Sequence, residues 1–101
     1  VYSTMDATRK QQILDAYFAP QGLNYSLCRI PMNSCDFALS TYSCDDVEND
    51  FELKYFSIKR DEQYMIPFMQ DAIRNTKKYN PGKELEFFIS PWSPPAWYVY
   101  F

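Results

Sequence analysis

Apolar positions along the chain gather in four bursts, separated by polar or proline-rich breaks. Ile13, Leu14, Tyr17 and Phe18 stand at i, i+1, i+4 and i+5, one stripe on a helix. Asp6 can cap that helix, which is predicted to run to Phe18. Pro20 and Gly22 stop it, with Gly22 suited to a left-handed closing residue. Tyr25-Ser26-Leu27-Cys28-Arg29-Ile30 is a short, mostly apolar run that reads as a buried strand ended by Pro31. From Met32 to Lys59 the pattern is irregular and polar. Asp61 then opens a second helix ending near Tyr79, with Met65, Ile66, Met69, Ala72 and Ile73 as its apolar face. Pro67 belongs in its first regular turn, after a distorted start, because an interior proline removes a hydrogen bond and clashes with the preceding turn. Asn80-Pro81-Gly82 is a stop. Leu85-Glu86-Phe87-Phe88-Ile89-Ser90 makes a second strand, apolar enough to be buried on both faces, and Pro91 ends it. Trp92-Ser93-Pro94-Pro95-Ala96-Trp97 forms a rigid aromatic loop.

The order is helix, strand, long loop, helix, strand. Alternating helices and apolar strands imply an α/β fold with parallel pairing. Two strands cannot complete a sheet, so the pattern fits a piece of a larger α/β domain, incomplete at both ends. Such a piece leaves strand edges open and helix faces uncovered. The opening Val1-Tyr2-Ser3-Thr4 is neither a signal peptide nor a starting Met, and reads as a cut inside a longer protein.

Charge narrows the candidate partners. The net charge is −3, and no basic block exceeds Lys77-Lys78, which argues against nucleic acid and polybasic membrane contacts. No apolar run is long enough to span a bilayer. Asp45, Asp46, Glu48, Asp50 and Glu52 crowd the long polar stretch; they lack calcium-loop spacing and read as a solvated acidic loop. Histidine is absent, which excludes a histidine-based triad or metal ligand within the segment. Cys28, Cys35 and Cys44 match no zinc template; one disulfide with one free thiol, or three buried thiols, both fit. Asn24-Tyr25-Ser26 is a glycosylation sequon, expected to stay unmodified because it abuts a buried strand. Aromatic residues make up 19% of the chain; their faces suit sugar rings, although core filling is the commoner use.

Two motifs carry more. Arg29-Ile30-Pro31-Met32-Asn33-Ser34-Cys35-Asp36-Phe37 is followed by Thr41-Tyr42, Asp50-Phe51-Glu52-Leu53 and Phe56-Ser57. Later comes Ser90-Pro91-Trp92-Ser93-Pro94-Pro95-Ala96-Trp97. In order and separation these resemble the signature stretches of glycoside hydrolase family thirty, the glucosylceramidase family, from the first helix to Trp97. The resemblance implies a fragment of a (β/α)₈ TIM barrel, with both motifs at the C-terminal strand ends where barrel active sites gather. It implies a retaining β-glycosidase acting on glucosylceramide or a related β-glucoside, with xylosides, galactosides and β-1,6-glucans as family alternatives. A truncated, non-enzymatic fragment is a further alternative. No metal or organic cofactor is implied. A lysosomal or extracellular setting is suggested by the family alone.

By the same resemblance Asp36 matches an aspartate that hydrogen-bonds glycone hydroxyls, a role suited to a two-oxygen acceptor. The alternative is a loop aspartate capping backbone amides. Trp92 matches a tryptophan lining that pocket; the alternative is loop packing. Arg29 matches an arginine supporting the nucleophile region, where a guanidinium favours an ionised carboxylate; the alternative is a structural ion pair. Trp97 is expected to act behind these, packing the loop. Cys35 reads as a small buried hydrophobe. Retaining glycosidases need two carboxylates about 5–5.5 Å apart. In the family they are an Asn-Glu-Pro glutamate after the fourth strand and a nucleophile after the seventh. The chain has no Asn-Glu-Pro, and Glu84, Glu86, Glu48 and Glu52 lie elsewhere, so no catalytic residue is assigned. The tail Tyr98-Val99-Tyr100-Phe101 departs from the family pattern.

Overall fold

A computed structural model describes residues 1–99; the expected departure at Tyr100 and Phe101 lies outside the described residues. The elements run α1 (Ala7–Phe18), β1 (Leu27–Met32), α2 (Lys59–Gln63), α3 (Met65–Tyr79) and β2 (Glu86–Pro91), with 3₁₀ turns at Tyr2–Thr4 and Ala96–Tyr98. This is the helix, strand, long loop, helix, strand order that the pattern predicts. The chain forms two compact units, one of Val1–Cys28 with Asp61–Phe87, the other of Arg29–Arg60 with the stretch from Phe88.

The first unit is a helix pair. Asp6 accepts from the Arg9 amide at 2.8 Å and so starts α1 by satisfying an orphan donor. One turn apart, Leu14 and Phe18 bury against Ala72 of α3, with Cys28, Phe68, Leu85 and Phe87 packed around them. Burying each of the two large side chains is worth about 1.5–3 kcal/mol. Beside this core, Asp15 accepts from Gln11 Nε2 at 2.8 Å and from the Tyr79 hydroxyl at 2.9 Å. Gln11 also donates to Asn75 Oδ1 at 2.7 Å. Burial pushes the Asp15 carboxyl up, and the bonds from Tyr79, Gln11 and Asn75 outweigh it, leaving the pKa below the ordinary value. Tyr2 docks on α3, its hydroxyl donating to Asp71 Oδ2 at 2.7 Å.

Pro67 explains why the second helix is broken. Continued helix would press its ring on the carbonyl of Gln63, the last residue of α2. The backbone instead breaks at Tyr64 (φ −131°, ψ −53°), which puts Pro67 third in α3, where a missing amide costs nothing. The buried face of α3 differs from the expected one. Ala72, Asn75 and Thr76 are its buried residues, because the face toward α1 carries the polar network as well as the core. Gly22 has no left-handed conformation either. A Cβ there would lie 2.4 Å from the carbonyl oxygens of Asp15 and Ala16, so close approach to the end of α1 is what requires glycine.

The two strands pair in parallel, with the Glu86 amide donating to Ser26 at 2.9 Å and the Trp92 amide to Met32 at 3.1 Å. β1 begins two residues later than the pattern predicts, because the Tyr25 amide is still held by Tyr17 at the end of α1. It also runs through Pro31. The Ser26 and Met32 carbonyls face β2, so alternation turns the Pro31 nitrogen away from the ladder. Burial on both faces is not seen: Leu27, Phe88 and Ile89 are all exposed, since no described element covers them. The sequon likewise abuts an exposed strand start, and Asn24 Oδ1 accepts from Lys83 Nζ at 2.7 Å. Cys28, Cys35 and Cys44 are free thiols, and burial raises the Cys28 pKa. No helix among the described residues is long and apolar enough to cross a membrane.

Candidate functional site

The second unit is built from the loops that leave β1 and β2, with little apolar core. Its buried residues, among those described, are Asn33, Ser34, Cys44, Asp45 and Asp50, four of them polar. Hydrogen bonds therefore do the work that packing does elsewhere. Directly after β1, Asn33 adopts a left-handed backbone (φ 66°), which Asn tolerates better than most residues. Its Nδ2 donates to the Ser93 carbonyl at 2.6 Å, and its Oδ1 accepts from the Cys44 amide at 2.8 Å. Ser93 Oγ donates to the Ser34 carbonyl at 2.7 Å and lies 3.2 Å from Ser34 Oγ. The Ser34 amide donates to Tyr42 at 3.0 Å.

From this clamp hang the residues singled out by sequence. Asp36 and Phe37 occupy the middle of a turn closed by the Ala38 amide on the Cys35 carbonyl at 3.0 Å. Both are exposed, Phe37 at 93%. Cys35 is half-buried. Trp92 begins the loop after β2 and is 44% exposed. Arg29 projects from β1 with its guanidinium 5.1 Å from the centre of the Trp92 ring, a cation–π arrangement that restrains the indole. Trp97 faces the loop interior. Its Nε1 donates to the Asp45 carbonyl at 2.8 Å, and its ring meets Phe51 edge-on at 5.4 Å.

The acidic loop is not uniformly solvated. Asp46, Glu48 and Glu52 are exposed, but Asp45 and Asp50 are buried at 6% and 9% exposure. Asp50 accepts from the Lys54 amide at 3.0 Å and the Tyr55 amide at 2.7 Å, and Asp45 from the Val47 amide at 3.2 Å. Turn formation drew these two carboxyls inward. No amide or hydroxyl reaches Asp45 Oδ2, and the Asp50 carboxyl lies close to the Asp45 side chain. A carboxyl close to another disfavours a second negative charge, and of these two Asp45 is the one whose protonated form is favoured. The bond to Asp50, then burial, raises the Asp45 pKa. Burial also pushes Asp50 up, but the bonds from Asp45, Tyr55 and Lys54 hold it below the ordinary value. Among the described residues no cluster of three or more acidic, cysteine or histidine side chains could hold a metal.

Sequence reasoning missed Asn33, Ser93 and the Asp45–Asp50 pair. Asn33 could have been found, since an Asn at the exit of a strand signals a left-handed turn. The carboxyl pair could not, because nothing in a run of acids marks which two fold inward.

Parallel strands joined by a helical crossover, with polar and aromatic side chains beyond their C-terminal ends, define a segment of an α/β domain. Comparison with known proteins makes the class specific. Residues 2–100 match the Glycosyl hydrolase family 30 TIM-barrel domain. The chain is 40% identical over 97 residues to "Putative glucosylceramidase 3" of Caenorhabditis elegans, covering 95% of this chain and 18% of that protein. It is 35% identical over 86 residues to the lysosomal acid glucosylceramidase of Mus musculus, covering 84% and 16%. The crystal structure of SrfJ from Salmonella typhimurium superposes with a TM-score of 0.78 at 38% identity, over 95% of this chain and 20% of that one. The chain belongs to glycosyl hydrolase family 30, as a segment of its TIM-barrel domain. It spans under a fifth of the length of these two glucosylceramidases.

Proposed function

We propose that the intact protein is a retaining β-glycosidase acting on glucosylceramide or a related β-glucoside. In this reading the segment supplies glycone-binding residues, and the catalytic glutamates come from outside it. Asp36 accepts hydrogen bonds from sugar hydroxyls with both carboxylate oxygens. Trp92 offers an indole face and an N–H donor to the same ring. Arg29 holds the indole through its guanidinium, and Trp97 anchors the acidic loop behind it. Support comes chiefly from one juxtaposition: the Trp92 amide bonds the Met32 carbonyl at 3.1 Å, which brings the exits of both strands side by side. Family membership supplies the chemistry. A complete barrel takes roughly 250 residues, so residues 1–101 alone are expected to show no turnover.

The test uses the full-length enzyme with an aryl β-glucoside, the matching xyloside and galactoside, and glucosylceramide. Expected are turnover of the glucosides, a β-configured first product by NMR, and a KM raised roughly ten- to a hundredfold in Asp36→Asn with little change in unfolding midpoint. Preference for the xyloside or galactoside would move the protein to another substrate within the family. An inverted first product would sink the retaining mechanism.

A further inference from the structure

Asn33 and Ser93 stand next to the two glycone-binding candidates in sequence, and they bond to each other. Asn33 follows the last residue of β1 and lies three residues before Asp36; Ser93 follows Trp92 directly. The Asn33 side chain is spent entirely within the loops. Its two amide ends reach the Ser93 carbonyl and the Cys44 amide, and the residue is only 5% exposed. That pairing fixes the amide orientation, because only nitrogen can meet the carbonyl and only oxygen the N–H. Ser93 returns a bond to the Ser34 carbonyl, so the loops after β1 and β2 are joined twice.

We infer that Asn33 is a positioning residue for glycone binding: by tying the loop after β1 to Ser93, it sets the separation between Asp36 and Trp92. The inference rests on the reading above that these two residues hold the sugar. Few residue types suit the position. Its left-handed backbone disfavours most side chains, and Gly, which accepts the backbone, makes neither bond. Ala would strain the turn and leave the Cys44 N–H and Ser93 C=O without partners in a buried place. Asp keeps the acceptor for Cys44 but sets a carboxylate against the Ser93 carbonyl. The Arg29 guanidinium restrains the indole ring, whereas Asn33 restrains the backbone that carries it. Because a hydrogen-bonding sugar must meet both walls at once, a shift of under an ångström at Ser93 weakens binding without removing any group that touches the ligand.

The test is competitive inhibition of the full-length enzyme by D-glucose, read as KI, alongside KM and kcat for an aryl β-glucoside. Asn33→Ala is expected to raise the glucose KI about tenfold, the size of one lost buried hydrogen bond. In a Trp92→Ala background the same change is expected to move KI less than twofold, while its effect on the unfolding midpoint is unaltered. A purely structural role lowers the folded fraction and kcat, and leaves KI the same in every background. Asn33→Asp, isosteric and still able to hold Cys44, carries the same readout if the alanine variant does not fold. A glucose KI within twofold of wild type in the folded variant overturns the proposal alone. Wild-type enzyme that glucose does not inhibit overturns the parent reading, and this one with it.

Discussion

The helix pair and the loop unit are held together by opposite means. In the first, Leu14, Phe18 and Ala72 are buried, and polar groups line the margin of an apolar core. In the second, Cys44 is the one apolar residue among the described buried positions; Asn33, Asp45 and Asp50 carry the structure through side-chain bonds to backbone, and the Ser34 carbonyl accepts from the Ser93 hydroxyl. Apolar packing is non-directional and tolerates small adjustments of neighbouring groups. Hydrogen bonds to backbone fix distance and angle. A scaffold needs the first property and a binding site the second, so the difference in construction is the one that the proposed sugar-binding role of the loops requires.

The largest test of that contrast is Phe18→Ala. It should cost about 3–5 kcal/mol of stability in the full-length protein, measured by denaturant unfolding, as deletion of a buried aromatic does. The glucose KI should stay unchanged, opposite to the pattern expected at Asn33. A variant that shifted KI and kept its stability would break the comparison. Next in size is Gly22→Ala, whose new methyl would meet two backbone carbonyls at 2.4 Å. It should destabilise by about 1–3 kcal/mol, the usual range for overpacking. A neutral result would mean that the turn after α1 yields easily.

The smallest effect separates the units by pH. Asp45 has a raised pKa, so its stabilising contribution is complete below the ordinary aspartate range and is lost as pH rises through the raised value. Asp50 has a lowered pKa, so its contribution is present above the ordinary range and is lost as pH falls through the lowered value. The loop is therefore firmest between the lowered Asp50 value and the raised Asp45 value, and loosens as pH rises through the latter. Asp15 has a lowered pKa, so its contribution is lost on acidification and does not fade toward neutrality. Amide exchange should show protection of Val47, Lys54 and Tyr55 falling a fewfold as pH rises through the raised Asp45 value, with no such loss around α1. In Asp45→Asn, whose amide can donate to Asp50 at any pH, that fall should vanish. Equal pH dependence in variant and wild type would refute the part given to the Asp45 proton.

Legibility in the sequence followed the same division. Period-3.6 patterning found α1 to its last residue, and local sterics at Pro67 foretold the broken start of the second helix. Such features depend on neighbours within a few residues. The buried face of α3 was only half legible, because Asn75 is polar and gains its place from Asp15 and Gln11 some sixty positions away, while Thr76 is buried without such a bond. Strand burial was overread, since apolar strands were matched to covering elements that the described residues do not include.

By itself the sequence determined the order of elements, the capping of α1, the helix break and, through two motifs, the family. Each depends on residue identity and short spacing. Only the tertiary structure decided that Asn33 meets Ser93 and Cys44, that Asp45 and Asp50 turn inward while Asp46 stays in water, and that Arg29 lies over Trp92. Those outcomes join residues from separate loops. They are fixed by which buried polar groups find partners once the backbone has closed, a condition that no local pattern encodes.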